Sequence, residues 1–403
     1  MFELNEQQQM FQSVIRNFCD KELAPLVEDM DDGKILPFDL CRRMMTVLGI
    51  KDIMRMAFEK KAAALEKGKE EGKGSDSLRM SSDDPLMGSI LLKELCRYAP
   101  GFALSWGASI GLCGNAINVK GNADQLRKYG VPVATFDKIG AWGLTEPGAG
   151  SDAFGSMKTV AKPNGDVYIL NGSKTFITNA PFADIFVIYA KIDRGQPKAQ
   201  QPVHSFILER GMPGLTTGKP FKKMGMRDSP TGEIFIEDVH VPKENLLGTE
   251  KDNIRDVARE SLGSERSAMP AMALGIIERC YEMSLKYSRE RVQFGKPISE
   301  FQAIQLKLAN MYIMQENVRN TVYRLAWMAA NRKKDFAFTC ASKAYCSGAA
   351  VTVALDAISI HGGYGYMTEY HVEKLMRDAK LLEIGAGTTD INLLQTARLE
   401  LGS

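Results

Sequence analysis

The feature that most restricts what this chain of 403 residues can fold into is a double change in its hydrophobic period. From Gln7 to about Tyr129 apolar residues recur at helical spacing, beginning with Met10, Val14 and Phe18, and β-branched runs are few. From Ile139 to Leu247 the texture becomes short alternating runs broken by turn residues, among them IFVIYAKI, HSFILER and EIFIEDVHV. From about Asn253 to Leu401 helical spacing returns, with Ile304, Leu308, Met311, Met314, Val318, Val322, Leu325 and Ala329 forming one apolar stripe. An α+β protein in three parts is expected: a helical domain over 1–138, an antiparallel β domain over 139–250 and a bundle of long helices over 251–403. Within the middle part, Asn164-Gly165 between two alternating runs predicts a hairpin whose two central residues both take positive φ.

Composition narrows the function classes. With 44% hydrophobic and 25% charged residues the chain is globular, and 51 basic against 49 acidic residues leave a net charge of +2, too even for a nucleic-acid or membrane partner. Seven cysteines without a CxxC pair predict reduced thiols and neither a disulfide framework nor a zinc site. His204, His240, His361 and His371 form no spaced cluster, so no metal is expected. No targeting segment and no long uncharged apolar run is evident, and a cytoplasmic location is the expectation. One local anomaly hides in the even balance: Lys51 to Arg79 is dense in Lys, Glu, Ala and Gly and reads as a solvated helix running into a Gly-punctuated loop.

Four stretches are rich enough in chemistry to form a site. WGLTEPGAGSDAFG, Trp142 to Gly155, offers backbone N–H groups at Gly148 and Gly150 and the Ser151 hydroxyl to a polar ligand edge. Its spacing is not GxGxxG, which disfavours a nicotinamide Rossmann site. KTFITNA, Lys174 to Ala180, places Phe176 and Thr178 on one face of a strand, an aromatic for a planar ring and a hydroxyl for its heteroatoms. RERVQFGKPISEFQ, Arg289 to Gln302, reads as a connection between two long helices with Arg291 available to a diphosphate. ISIHGGYGYMTEYHVEKLMRDAKLLEIGAGT, Ile358 to Thr388, carries Gly362-Gly363 and Gly385-Ala386-Gly387, where backbone can approach a ligand closely.

Together, in this order, these stretches resemble the acyl-CoA dehydrogenase flavoproteins, most closely the isovaleryl-CoA dehydrogenase-like members. The resemblance covers nearly the whole chain and rests on TEPGAGSD, the aromatic-Ile-Thr-Asn strand, R-x-x-FG-x-P-I-x-x-FQ, GG-x-GY-x-x-EY and LMRDAK. It implies a helical N-terminal domain, a β middle domain and a C-terminal four-helix bundle, with FAD between the last two and reaching a neighbouring subunit. By similarity Trp142, Leu144 and Thr145 with the adjacent backbone contact the flavin, Phe176 packs on it and Thr178 bonds near its reactive nitrogen. Arg291, Phe294, Gly362 and Gly363 would meet the pyrophosphate and adenosine of a partner's FAD, while Thr388 and Asp390 contact the cofactor locally. Ser359 stands where many members direct a Gln at the pyrophosphate. Ser151, Arg266 and Gly385 fall on the substrate side.

The implied reaction is α,β-dehydrogenation of an acyl-CoA thioester, with electrons passed to an electron-transfer flavoprotein and the chain assembled as a tetramer, a dimer of dimers. The α-proton is too weakly acidic for a carboxylate unless the developing enolate oxygen meets preorganised donors, in this family a ribityl hydroxyl and one backbone N–H. Most members carry the base as a Glu before the Gly-Thr of the final loop, where this chain reads Gly385-Ala386-Gly387-Thr388. Glu265, followed by Arg266, matches the alternative helix-borne base of the isovaleryl-type enzymes, and the Ala386 N–H would complete the oxyanion site. Glu383 is the nearest competing carboxylate and is expected to point away. Met269 and Met272, one turn beyond Glu265, are candidates for lining the acyl pocket. The substrate expected is a short branched or compact acyl-CoA. Cyclic, aromatic or dicarboxylic thioesters remain open because the Lys51–Arg79 stretch replaces the usual loop near the acyl end, and the absent loop Glu leaves open a catalytically silent flavin or acyl-CoA binding protein.

Overall fold

A computed structural model describes residues 3–68, 84–250 and 254–402. The first helix, Glu6–Phe18, begins at a capping box in which the Asn5 side chain accepts from the Gln8 amide and Gln8 answers to the Asn5 amide. Short helices follow as far as Ala134 and enclose a core that includes Phe38, Phe58, Phe102 and Trp106. Of the charged Lys51–Arg79 stretch, the first part is the helix Ile50–Glu66, which turns Met54, Phe58 and Ala62 inward. Two of its charges are paired, Lys51 with Asp137 at 2.6 Å and Glu66 with Arg127 at 2.8 Å. The Gly-punctuated loop expected after it falls at positions 69–79, outside the described residues.

The middle part is one sheet of eight strands: β1 (Gly140–Gly143), β2 (Val160–Asn164), β3 (Val167–Thr178), β4 (Ile185–Ile192), β5 (Val203–Glu209), β6 (Leu215–Thr217), β7 (Thr231–Pro242) and β8 (Leu246–Leu247). The order is β6-β7-β3-β2-β4-β5-β8, with β1 added beside β4. Pairing is antiparallel except that β1 and β2 each run parallel to β4. The expected hairpin joins β2 to β3, one residue later than anticipated: Asn164 pairs with Val167, so Gly165 and Asp166 make the turn. Among the two only Gly165, at φ +56°, is left-handed, as in the turn class that needs Gly in first place alone.

Helices return at Ile254–Glu290, Gln302–Ala330, Phe336–His361, Val372–Leu382 and Thr389–Leu401. Phe336–His361 is long and apolar enough to cross a bilayer by those criteria alone, yet it packs between Ile254–Glu290, Val372–Leu382 and Thr389–Leu401. Gly275 lets the Ile254–Glu290 helix press on the Leu86–Cys96 helix, since a Cβ there would stand 2.2 Å from the Lys93 carbonyl oxygen.

The Val372–Leu382 helix, which carries the RDAK motif, is a staple between the three parts. Lys374, fully buried, lies 2.6 Å from Asp378 and 3.6 Å from Asp228, while Asp228 accepts from the Phe102 amide at 2.9 Å. Arg377 reaches Asp31 at 2.9 Å, Glu373 at 2.5 Å and the Met224 carbonyl at 3.1 Å. Asp31, Asp228 and Asp378 bring carboxylate oxygens within 4.8 Å of one another, a spacing that could hold a metal ion. Here the Lys374 ammonium and the Arg377 guanidinium supply the positive charge.

Candidate active site

Glu265 and Arg266 lie about three turns into the helix Ile254–Glu290. Glu265 faces a small apolar pocket with Leu92, Leu104, Trp106, Leu112, Met269 and Met272 among its walls. Met269 and Met272 follow Glu265 at helical spacing on one face, as anticipated. Trp106 is held by its indole N–H, 3.2 Å from the Met45 sulfur. None of the pocket's walls comes from positions 51–68. The apolar surroundings push the Glu265 carboxyl up to about 7, against the pull of Arg266 and Lys343.

On the other side of Glu265 stands the loop Gly385–Thr388. Arg266 Nε donates to the Ala386 carbonyl at 3.1 Å, and Lys343 Nζ donates to the Gly387 carbonyl at 2.6 Å. Asn392 Nδ2 adds a second bond to the Gly387 carbonyl at 2.8 Å. These bonds hold Ala386 at φ +54°, a left-handed conformation that costs a non-glycine residue on the order of 1–3 kcal/mol and persists only where its surroundings impose it. Gly387, at φ +83°, sits in a backbone conformation that strains any side chain, and a Cβ there would crowd the Arg266 guanidinium at 3.3 Å. Thr388 caps the final helix by accepting from the Ile391 amide, and Asp390 sits exposed in its first turn, where the helix dipole favours an acid. Glu383 is engaged elsewhere, in an ion pair with Lys380 at 2.5 Å. Lys343 and Asn392 carry no motif, and no signal in the sequence points to either.

The β-sheet presents a second group. Trp142 stacks edge-on against Tyr189 at 5.2 Å, and its buried indole nitrogen meets no partner among the described residues. Thr145 is tied to β3 through its carbonyl, which accepts from the Thr175 amide at 3.0 Å. Beneath it the buried Lys174 binds the Leu144 carbonyl at 3.2 Å and Glu146 at 2.8 Å. Glu146 in turn accepts from the Lys158 and Thr159 amides, so this ion pair shapes the whole TEPGAGSD loop and leaves Ser151 exposed at its rim. Strict alternation fails at Lys174 and Thr175, both buried, because the β3–β7 ladder slips between Lys174 and Ile177. That bulge sets Phe176 at φ +57° and leaves it 69% exposed, with Thr178 half-buried beyond it.

A third group lies far from Glu265. Arg291 follows Glu265 by 26 residues, which at 1.5 Å per helical residue is about 39 Å along the axis. The connection expected there is a β-hairpin, Val292–Gln293 against Lys296–Pro297, turning on Phe294 (φ +52°) and Gly295 (φ +80°). Phe294 is 94% exposed at its tip. Arg291, Phe294, Gly362 and Gly363 line one cavity of about 730 Å³ together with His361 and Tyr364. Arg291 lies over the Tyr364 ring at 5.7 Å, and a Cβ on Gly362 or Gly363 would meet nothing within 4 Å. His361 is a wall residue of this cavity, stacked on Tyr287 at 4.4 Å with Nδ1 2.8 Å from the Ala357 carbonyl. Ser359 does not join it: the hydroxyl donates back to the Leu355 carbonyl at 2.9 Å, a bond within reach of its short side chain.

Comparison with known proteins agrees with this geometry. The acyl-CoA dehydrogenase N-terminal, middle and C-terminal domain families match residues 5–137, 141–239 and 255–401. Isovaleryl-CoA dehydrogenase, mitochondrial, of Arabidopsis thaliana is 35% identical over 395 residues, covering 98% of this chain and 91% of that one. The structure of butyryl-CoA dehydrogenase from Megasphaera elsdenii superposes with a TM-score of 0.86 at 38% identity, covering all of both chains. A chain in a structure of the electron transferring flavoprotein of Acidaminococcus fermentans gives 0.86 at 37% identity, again over all of both chains. The residues present suit FAD: an exposed aromatic, Phe176, raised on a bulge, the indole nitrogen of Trp142 on β1 with no partner among the described residues, and a cavity lined by Arg291 together with Gly362 and Gly363. The chain belongs to the acyl-CoA dehydrogenase family and is an FAD-dependent oxidoreductase acting on acyl-CoA.

Proposed function

We propose that this enzyme dehydrogenates a short branched or otherwise compact aliphatic acyl-CoA at the α and β carbons, with Glu265 taking the α-proton. The observation that carries the reading is the pairing of one carboxylate, Glu265, with an apolar pocket on one side and the strained, clamped Ala386 loop on the other. A carboxyl held near 7 is a strong enough base to accept a carbon-bound proton while still ionised at neutral pH. The Ala386 N–H, next to two carbonyls clamped by Arg266 and Lys343, serves as a donor to the thioester oxygen as negative charge develops there. Bound FAD supplies the acceptor for the hydride from the β-carbon. Trp142, Thr145, Phe176 and Thr178 orient it, and Ser151, Arg266 and Gly385 lie toward the substrate.

The pocket favours an aliphatic substrate over a dicarboxylic one. None of its described walls carries a positive charge, and a distal carboxylate buried there unpaired would pay a prohibitive desolvation penalty. We further assign an electron-transfer flavoprotein as the acceptor, supported by the likeness to a chain in such a structure. A cytoplasmic location accords with seven buried, unbridged cysteines. We also propose that a second copy of the chain completes the site, which the distance between the Arg291 cavity and Glu265 supports.

A thioester panel scored by flavin bleaching tests the reading. Isovaleryl-, isobutyryl- and butyryl-CoA are expected to bleach the flavin, and glutaryl- and phenylpropionyl-CoA to leave it yellow. Glu265→Gln is expected to lower the bleaching rate by about 10²–10⁴-fold with FAD content unchanged. Full activity in that variant would remove Glu265 from the role, and spectral shifts without bleaching for every thioester would make the protein a silent binder.

A further inference from the structure

We propose that Lys343 is a positioning residue for proton abstraction, which both sets the charge of Glu265 and holds the backbone donor opposite it. The inference rests on Glu265 as the base. Lys343 lies on the Phe336–His361 helix, fully buried, and its ammonium reaches across to the Gly387 carbonyl at 2.6 Å. Arg266 makes the parallel contact to the preceding carbonyl, that of Ala386, at 3.1 Å. Two successive peptide planes, Ala386–Gly387 and Gly387–Thr388, are therefore pinned by cations from two different helices, immediately beyond the Ala386 N–H.

The two cations are not equivalent. A guanidinium stays charged at every working pH, whereas a buried ammonium can lose its proton. Burial brings the Lys343 amine down to about 8, against the upward pull of Glu265 and Glu383. The titratable and charged groups facing it are Glu265 and Arg266 from the Ile254–Glu290 helix, Glu383 at the end of the Val372–Leu382 helix, and Cys340 on its own helix, 3.6 Å from Arg266. The final helix contributes the neutral Asn392, and the acyl pocket contributes Trp106 and aliphatic walls. Lys343 is thus the cation beside Glu265 whose charge can change close to the pH at which Glu265 itself ionises. While protonated it favours the carboxylate, extending the ionised base to lower pH, and it keeps the loop closed from behind.

The test is the pH profile of single-turnover flavin reduction in the holoenzyme, with the panel's best thioester, for the parent, Lys343→Met and Lys343→Arg. In the parent the rate climbs through about 7. Loss of a neighbouring opposite charge moves a carboxyl by about 1 unit or more, so Lys343→Met should displace the rising limb upward by that amount, cutting the rate about tenfold at pH 6.5 and leaving at pH 9 only the smaller loss that comes from the unclamped Gly387 carbonyl. Lys343→Arg should keep the limb in place. Should the Met variant fail to fold, Lys343→Gln retains a donor for the Gly387 carbonyl while discarding the charge, and the same displacement is required of it. A uniform loss of rate at all pH values, with the limb unmoved, overturns the proposal and leaves Lys343 a structural clamp. Full activity in Glu265→Gln would instead overturn the underlying assignment of the base, so the two failures are distinct.

Discussion

At the scale of single residues the decisive quantity is where Glu265 ionises. Folding moves its carboxyl from the ordinary 4.5 up to about 7, because burial disfavours the charged form. The folded chain therefore holds this proton more tightly than the unfolded chain, and stability must fall as pH rises from 4.5 to about 7. Replacing Glu265 by Gln removes that loss. Glu265→Gln holoenzyme is expected to melt at the same temperature as the parent at pH 4.5 and at a higher one at pH 8, with the gap opening between those limits. Scanning calorimetry across the range checks it, and a gap independent of pH, or one of opposite sign, refutes it. Such a gain would mark Glu265 as a group placed for chemistry rather than for packing, in keeping with its proposed role. Glu265 was legible in the sequence only through its likeness to the isovaleryl-type arrangement, since a Glu-Arg pair on a helix is otherwise unremarkable. Lys343 and Asn392 were illegible: each acts on a backbone carbonyl of Gly387, and a carbonyl leaves no trace in residue identity.

At the scale of elements, the two changes of hydrophobic period foretold helices, then a sheet, then helices, because burial of one face imposes period 2 on strands and 3.6 on helices. What they could not foretell are the local departures that aim side chains. The β3 bulge raises Phe176, and a hairpin stands where a plain connection was expected after Arg291. Both depend on non-glycine residues at positive φ, Phe176 and Phe294, which no propensity anticipates. RDAK was legible as a family signature but not as a staple. Its energetics are predictable from the buried charges: without the Lys374 ammonium, Asp378 and Asp228 would face each other uncompensated in the core. Lys374→Met should destabilise the protein by about 3–5 kcal/mol, read as a lower denaturation midpoint. Adding Asp228→Asn should recover part of that loss, and a variant as stable as the parent would show that the staple contributes nothing.

At the scale of the whole molecule the Ile254–Glu290 helix acts as a spacer. It carries Glu265 near its start and delivers Arg291 just past its end, about 39 Å away by helical rise. The sheet residues proposed to face the flavin and the Ala386 loop are grouped on the proposed reading with Glu265, whereas the cavity lined by Arg291, Phe294, Gly362 and Gly363 lies at the far end. On the proposed reading one extended dinucleotide cannot use both ends of a single chain, and the far cavity is expected to serve the cofactor of a second copy. Phe294, almost wholly exposed at a hairpin tip, and Tyr366, 79% exposed, are the surfaces such a copy would cover. FAD retention should then depend on assembly. Phe294→Asp is expected to weaken self-association in sedimentation velocity and to lower the flavin-to-protein absorbance ratio in step with it, while the melting of the dissociated chain stays unaltered. Arg291→Ala, which leaves the apolar tip in place, should lose flavin without dissociating. If dissociated Phe294→Asp protein keeps its full complement of FAD, each chain holds its cofactor alone and the far cavity serves another ligand.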